Sequence, residues 1–337
     1  MEKHIWIVSP ALAKANNGNW QTAKRWAHFL RSQGRYRVSL SDVWPPAEND
    51  STDAPDLLIA LHARRSASSL AAFHARYPAR PGVLVLTGTD LYRDIRTSLE
   101  AQAALHQARA LVLLQPAGLF ELTQHFPELA SKASVIYQSA PTLQPALRGA
   151  RFFTVTQIGH LRAEKDPATF MRASSLVASP KVRMLHIGAA LDAELGAMAS
   201  ATAASQPHYR WLGNLAHGAA RQRLKRSHLM ALTSLMEGGA NVIIEAVTSG
   251  VPVVASDISG NRGMLGDDYC GYFPTGDALA LAQLIERCIR EPAFYARLQT
   301  QCALRAELFA PAFEQAGLHQ LVDNLLRTNS STDSIQP

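Results

Sequence analysis

The sequence predicts an α/β protein built from two doubly wound parallel sheets. Three observations carry this. Short apolar, β-branched runs alternate with helix-patterned segments along the whole chain. At 337 residues the chain is too long for one comfortable core and suits two domains. The alternation breaks once, at Pro141–Ala150, where Pro-Thr-Leu-Gln-Pro interrupts the pattern.

In the first half, apolar runs predict strands near 4–8, 36–40, 56–61, 83–87, 110–114 and 134–137. Helical patterns fall near 19–33, 66–76, 97–107 and 116–125. In the second half, strands are predicted near 153–158, 182–187, 209–212, 229–232, 252–255 and 271–273. Helices are predicted near 167–177, 191–205, 217–226, 240–249, 278–290 and 292–307, and a last one spans roughly Ala312–Leu326. The expected domains are therefore 1–145 and 150–310, followed by a helix over 311–328 and a polar, frayed tail over 329–337. Ligands of such sheets bind at the carboxyl ends of strands, and two such domains face to face make a cleft.

Composition narrows the class. Hydrophobic residues make up 47% and charged residues 18%, as in a soluble globular protein. No apolar run approaches the roughly 20 residues that span a bilayer. The start, His4-Ile5-Trp6-Ile7-Val8, reads as a strand and not a signal peptide, so a cytoplasmic setting is expected. Cys270, Cys288 and Cys302 have no metal-type spacing and fit reduced thiols. A formal charge of +6 favours anionic ligands. The densest basic tract, Arg221-Gln222-Arg223-Leu224-Lys225-Arg226, reads as a solvated helix face; without interleaved aromatics it gives no nucleic-acid signal.

The most informative segment is Glu237-Gly238-Gly239-Ala240-Asn241-Val242-Ile243-Ile244-Glu245. Glycine backbone amides can approach a ligand closely, and a helix starting near Asn241 turns its positive end toward phosphate. Glu245 on that helix can accept hydrogen bonds from a nucleotide ribose, and Glu237 can meet sugar hydroxyls. A polar turn before an ordinary buried helix fits the same spacing. Earlier, Gly159-His160-Leu161-Arg162-Ala163-Glu164-Lys165-Asp166-Pro167 closes the first strand of the second domain. Arg162 and Lys165 are placed to clamp a diphosphate; an exposed basic turn with a Glu164–Lys165 pair fits the same residues. These two segments resemble the Glu-x7-Glu and Gly-x-Leu-x-x-x-Lys motifs of the retaining GT-B glycosyltransferases of the large family-four class. The resemblance implies two Rossmann-like domains, a last helix crossing back to the first, and a UDP-sugar donor held by Gly159, His160, Arg162, Lys165, Gly238, Gly239, Ala240, Asn241, Val242 and Glu245. No Gly-x-Gly-x-x-Gly, Asp-x-Asp, Gly-x-Ser-x-Gly or Walker A pattern is present. No cofactor and no metal are expected, since basic side chains and a helix end suffice for the leaving diphosphate.

Three segments follow strands of the first domain. Ser9-Pro10-Ala11-Leu12-Ala13-Lys14-Ala15-Asn16-Asn17-Gly18-Asn19 stands where the class has a glycine-rich loop. Asparagine tolerates positive φ, so Asn16 and Asn17 can replace glycines and add hydrogen bonds. In Thr87-Gly88-Thr89-Asp90, Asp90 could be a base or orient a sugar hydroxyl, or simply cap the next segment. In Leu61-His62-Ala63-Arg64-Arg65-Ser66, the adjacent arginines are an anion-site candidate or a solvated helix start. Together with Tyr137-Gln138-Ser139-Ala140, these segments look like the selenosugar synthases of selenoneine biosynthesis. That resemblance implies transfer of a sugar, N-acetylglucosamine or glucose, from a UDP-sugar to selenophosphate, with a carbon–selenium bond formed. Asn16, Asn17, Arg64, Arg65, Thr87, Gly88 and Thr89 are then the acceptor candidates, Gly18 a donor contact, and Arg162, Lys165, Glu237 and Asp90 the catalytic set. Two alternatives stay open. One is a transferase to a lipid or polysaccharide acceptor at the membrane, for which the helix at 19–33, with Trp20, Trp26 and Phe29, could be an amphipathic anchor. The other is a non-catalytic nucleotide-sugar-binding protein.

Overall fold

The computed structural model describes residues 2–10, 18–46, 54–144 and 146–332. Its strands are β1 (Lys3–Val8), β2 (Tyr36–Ser41), β3 (Leu57–Leu61), β4 (Gly82–Leu86), β5 (Ala110–Leu113), β6 (Ala133–Val135), β7 (Phe153–Ile158), β8 (Val182–Ile187), β9 (Tyr209–Trp211), β10 (Leu229–Leu232), β11 (Val253–Ser256) and β12 (Tyr272–Phe273). The helices are α1 (Gly18–Arg31), α2 (Ala67–Arg76), α3 (Ile95–Thr97), α4 (Leu99–Gln107), α5 (Pro116–His125), α6 (Pro167–Leu176), α7 (Ala193–Ser205), α8 (His217–Lys225), α9 (Asn241–Val247), α10 (Ser259–Leu265), α11 (Ala278–Arg290), α12 (Pro292–Ala306) and α13 (Pro311–Thr332). The chain divides into two compact units, Met1–Gln138 with Pro311–Pro337, and Ser139–Ala310.

The sheet of the first unit has the order β2-β1-β3-β4-β5-β6, all parallel. Its central strands are apolar throughout because both faces are buried. The period of two then sorts the side chains. Trp6, Val8, Leu58, Ala60, Leu84 and Leu86 join one core with Leu70 and Phe73 of α2 and Leu105 of α4. Ile5, Ile7, Leu57, Ile59, Val83 and Val85 join the other with Trp26 and Leu30 of α1 and Leu318 and Val322 of α13. Glu314 fixes α13 to α1: it accepts from Arg25 Nε at 2.6 Å and from Trp26 Nε1 at 2.7 Å. Trp26 and Phe29 are buried, so the apolar face of α1 is spent inside this unit. Pattern alone ends the last helix near 326; the backbone stays helical to Thr332, since neither Gly nor Pro follows Leu318 in that stretch.

The sheet of the second unit has the order β12-β11-β10-β7-β8-β9, again all parallel. The strand order reverses between β7 and β10, which leaves a crevice at their carboxyl ends. In the first unit the corresponding reversal lies between β1 and β3.

Two segments depart from the sequence expectation. Asp90–Asp94 forms a π-helical turn that runs into α3, ahead of the helix expected from 97. Ser259–Leu265 forms α10 where no helix is expected. The basic tract also needs correction, because Arg221 is only 9% exposed. It donates to Pro141 O and, at 3.1 Å, to Thr248 Oγ1, whereas Gln222, Arg223 and Arg226 are exposed as expected. Among the described residues no helix is long and apolar enough to cross a membrane.

Candidate active site

The crevice at β7 and β10 collects most of the sequence candidates. β7 ends at Ile158, and Gly159-His160 crosses over the end of β8 at very short range. A Cβ on Gly188 would lie 1.9 Å from Gly159 O, so only glycine allows the crossing. Gly159 itself has ordinary room, so the steric demand falls on Gly188, a residue that pattern alone did not single out. His186 supports the crossing from below, with Nδ1 2.9 Å from Tyr209 Oη and Nε2 3.3 Å from Gly159 O. Burial pushes its pKa down to about 4, so it is neutral at pH 7. Ala189 N–H donates to His160 Nδ1 at 3.0 Å and fixes that ring.

After the crossing the chain makes a tight turn at Ala163–Lys165 and enters α6. Asp166 takes the left-handed conformation, φ 40°, and caps α6 by accepting from Thr169 N–H at 3.2 Å. The turn is clamped to the end of β10: Thr233 Oγ1 donates to Lys165 O at 2.8 Å, and Leu235 N–H to Glu164 O at 2.9 Å. The second of these is a main-chain bond, so it holds the turn whatever the side chains do. Gln157 Nε2 donates to the same Thr233 hydroxyl at 2.9 Å.

This turn presents Lys165 to Glu237. Nζ lies 2.5 Å from Glu237 Oε1, which also accepts from Ser234 Oγ at 2.6 Å. Lys165 therefore does not pair with Glu164. Glu237 is 8% exposed, and its Oε2 has no hydrogen-bond partner among the described residues. Its main chain is packed from α10: a Cβ on Gly260 would lie 1.9 Å from Glu237 O. Arg162 is half-buried, its Nε buried and without a partner among the described residues. Gly238 and Gly239 lead into α9, whose N-cap Ala240 supplies no side-chain cap, so the N–H groups of Asn241 and Val242 face outward from the helix start.

Glu245, one turn into α9, is 8% exposed and lies 2.6 Å from His217 Nε2 of α8 through Oε1. Arg221, one turn further along α8, adds positive charge beside it. Burial lowers the Arg221 pKa, and the Glu245 carboxylate opposes that. Sequence reasoning missed His217; an i, i+4 pair of basic residues on α8 is the signal that could have found it.

In the first unit, the loops after β3 and β4 meet. Asp90 is fully buried, and its oxygens accept from the main-chain N–H groups of Ala63 (2.9 Å), Thr87 (2.9 Å) and Gly88 (2.7 Å). The carboxylate is saturated with backbone donors, so Asp90 holds the two loops together; the expectation of a base or sugar-orienting group is corrected. Arg64 and Arg65 are exposed, and Arg64 Nε donates to Asp94 Oδ2 at 3.0 Å. Arg93 Nε reaches the other Asp94 oxygen at 3.1 Å. Burial works against the Asp94 carboxylate, but the bonds from Arg93 and Arg64 hold its pKa below the usual range. Thr87, Gly88 and Thr89 lie beside this cluster, whereas Gly18 starts α1. Asn16 and Asn17 lie outside the described residues. Among the described residues no group of three or more His, Cys, Asp or Glu side chains comes together to hold a metal ion.

The fold and this geometry define the class to which the structure is similar. Two parallel-sheet, Rossmann-like domains match the architecture of GT-B glycosyltransferase structures. Residues 146–305 match the family model for glycosyl transferases group 1. Anabaena HepE, solved in complex with UDP and glucose, is 17% identical, with a TM-score of 0.74 over 96% of this chain and 100% of that one. Sucrose-phosphate synthase from Thermosynechococcus elongatus is 15% identical, with a TM-score of 0.77 over 97% and 100%. TarM from S. aureus, solved with fondaparinux, alpha-GlcNAc-glycerol and UDP, is 15% identical, with a TM-score of 0.66 over 80% of this chain and 55% of that one. No curated protein matches the chain.

Proposed function

We propose that this protein is a metal-independent, retaining glycosyltransferase that takes a sugar from a UDP-sugar. The observation that carries the reading is the convergence of Lys165, the partnerless Arg162 Nε, the Gly238–Gly239 loop and two buried carboxylates on one sheet crevice. The family match over 146–305 covers this same set. In the proposed complex Arg162, Lys165 and the amides after Gly238 hold the diphosphate. Glu245 accepts from the ribose hydroxyls and Glu237 from the transferred sugar. The bond from sugar C1 to the diphosphate oxygen breaks with its electron pair staying on UDP, and the two cations stabilise that charge.

The acceptor in this reading is selenophosphate, whose selenium supplies the electron pair for the new C1–Se bond, as in selenoneine biosynthesis. Such an acceptor is already anionic and needs no general base, consistent with an Asp90 that is fully engaged by backbone donors. It needs cations, and Arg64 and Arg65 supply them. N-acetylglucosamine or glucose is the proposed donor sugar, and the cytoplasm the proposed setting. The buried Trp26 and Phe29 count against α1 as a membrane anchor.

Calorimetry separates the carboxylate roles. Glu245→Ala should weaken UDP itself, whereas Glu237→Ala should weaken the UDP-sugar far more than UDP. Equal losses of both ligands in both variants would sink the division of roles.

A further inference from the structure

We propose that His62 takes up a proton when a small dianionic oxyanion of the phosphate class settles against Arg64 and Arg65. The inference rests on the acceptor reading above and adds a charge state to that site.

His62 follows β3 and is 2% exposed. Its φ of 75° is left-handed, a conformation that residues with a Cβ adopt at a cost and that clusters at functional sites. The main chain is held there on both sides, His62 N–H donating to Val85 O at 2.9 Å and Ser66 N–H to His62 O at 3.0 Å. Nδ1 accepts the main-chain N–H of Arg65 at 3.4 Å. The hydrogen of the neutral ring is therefore assigned to Nε2, which lies 3.1 Å from Thr89 Oγ1 and 3.9 Å from Asp94 Oδ2. The imidazole thus touches the arginine turn through one nitrogen and the Thr87–Asp90 loop through the other.

The charges around it make its protonation depend on an anion. Burial holds the ring below its ordinary pKa, so it is neutral at pH 7. Asp90 and Asp94 face the ring and oppose that, while Arg64 and Arg65 reinforce it, and Arg93 sits on Asp94. After burial, Asp90 acts most strongly, ahead of Arg65, and Asp94 ahead of Arg64, so burial is what keeps the ring neutral. The outer nitrogens of Arg64 have no partner among the described residues, and the Arg65 guanidinium has none. A dianion on them offsets their charge and adds to the pull of the carboxylates, which raises the ring's proton affinity against the burial. The proton comes from solvent and lands on Nδ1. That nitrogen can then no longer accept from Arg65 N–H. Binding and protonation therefore favour each other.

Sulfate is the probe, because it stays doubly charged from about pH 8 to about pH 5, the range in which a histidine charges. Any proton taken up then belongs to the protein. Titration of the full-length protein with sulfate, in pairs of buffers of different ionisation enthalpy, should show net proton uptake. Affinity should rise as pH falls, by about tenfold per pH unit at most for a single proton. In His62→Gln the uptake should vanish and the affinity become flat with pH. NMR titration of the wild-type His62 ring should show its pKa rising when sulfate is added, a readout that stands even if His62→Gln does not fold. Sulfate binding without proton uptake, or uptake that persists in His62→Gln, overturns the proposal and leaves the acceptor site standing. Sulfate binding that neither Arg64→Ala nor Arg65→Ala weakens overturns both.

Discussion

Replacing Lys165 with methionine separates a structural role from a chemical one. Nζ and Glu237 Oε1 are 2.5 Å apart, with the lysine side chain 19% and the glutamate side chain 9% exposed. Removing one partner of a buried pair costs about 3–5 kcal/mol, because the remaining charge is left desolvated. Here Glu237 keeps the Ser234 hydroxyl and the pair is partly wetted, so the loss of stability should fall near the bottom of that range. Adding Glu237→Gln removes the stranded charge and should restore most of it. Catalysis should behave differently. Losing one preorganised cation at a developing diphosphate costs roughly 2–4 kcal/mol, or about 30- to 1,000-fold in turnover. The double variant should recover no activity. Denaturant unfolding measures the first effect and UDP release the second. Near-normal turnover in a folded Lys165→Met protein, or activity that returns together with stability in the double variant, would refute the assignment.

Two further outcomes follow from the packing beneath the site. His186 keeps a pKa of about 4 in the folded chain against the ordinary 6.5, so the unfolded chain takes up its proton first as pH falls. The folded state should therefore lose stability between about pH 6.5 and about pH 4, by roughly 3 kcal/mol at about 1.4 kcal/mol per unit. His186→Gln should flatten that part of the stability–pH curve; an unchanged curve would show that His186 is not responsible. Gly260→Ala would place a Cβ 1.9 Å from Glu237 O, so about 1–3 kcal/mol of overpacking strain is expected, together with weaker UDP-sugar binding. Wild-type stability and affinity in that variant would mean that α10 does not position Glu237.

The sheets were legible in the sequence because strands buried on both faces are uninterrupted apolar runs, as at Leu57–Leu61 and Val253–Ser256. α10 was not, because Ser259, Gly260, Asn261 and Gly263 read as turn residues. Their use is tertiary: Gly260 admits Glu237 O, and Asn261 Nδ2 donates to Ser256 O at 2.9 Å. In the site, spacing brought out Lys165 and Glu237, but their pairing across two strand ends depends on the turn clamped by Thr233. Asp90 looks the same in sequence whether it faces a ligand or three backbone amides; only the burial of its carboxylate decides. His62 stands in a segment that the sequence singles out, but its left-handed backbone and its two ring contacts are products of the fold.

Product analysis decides whether selenophosphate is the acceptor. The protein is incubated with UDP-N-acetylglucosamine or UDP-glucose and with selenophosphate, and the products are read by mass spectrometry. UDP release that depends on selenophosphate is expected, together with a sugar carrying the selenium isotope pattern on its anomeric carbon. Intact UDP-sugars beside unreacted selenophosphate, with a folded protein that binds UDP, would contradict it.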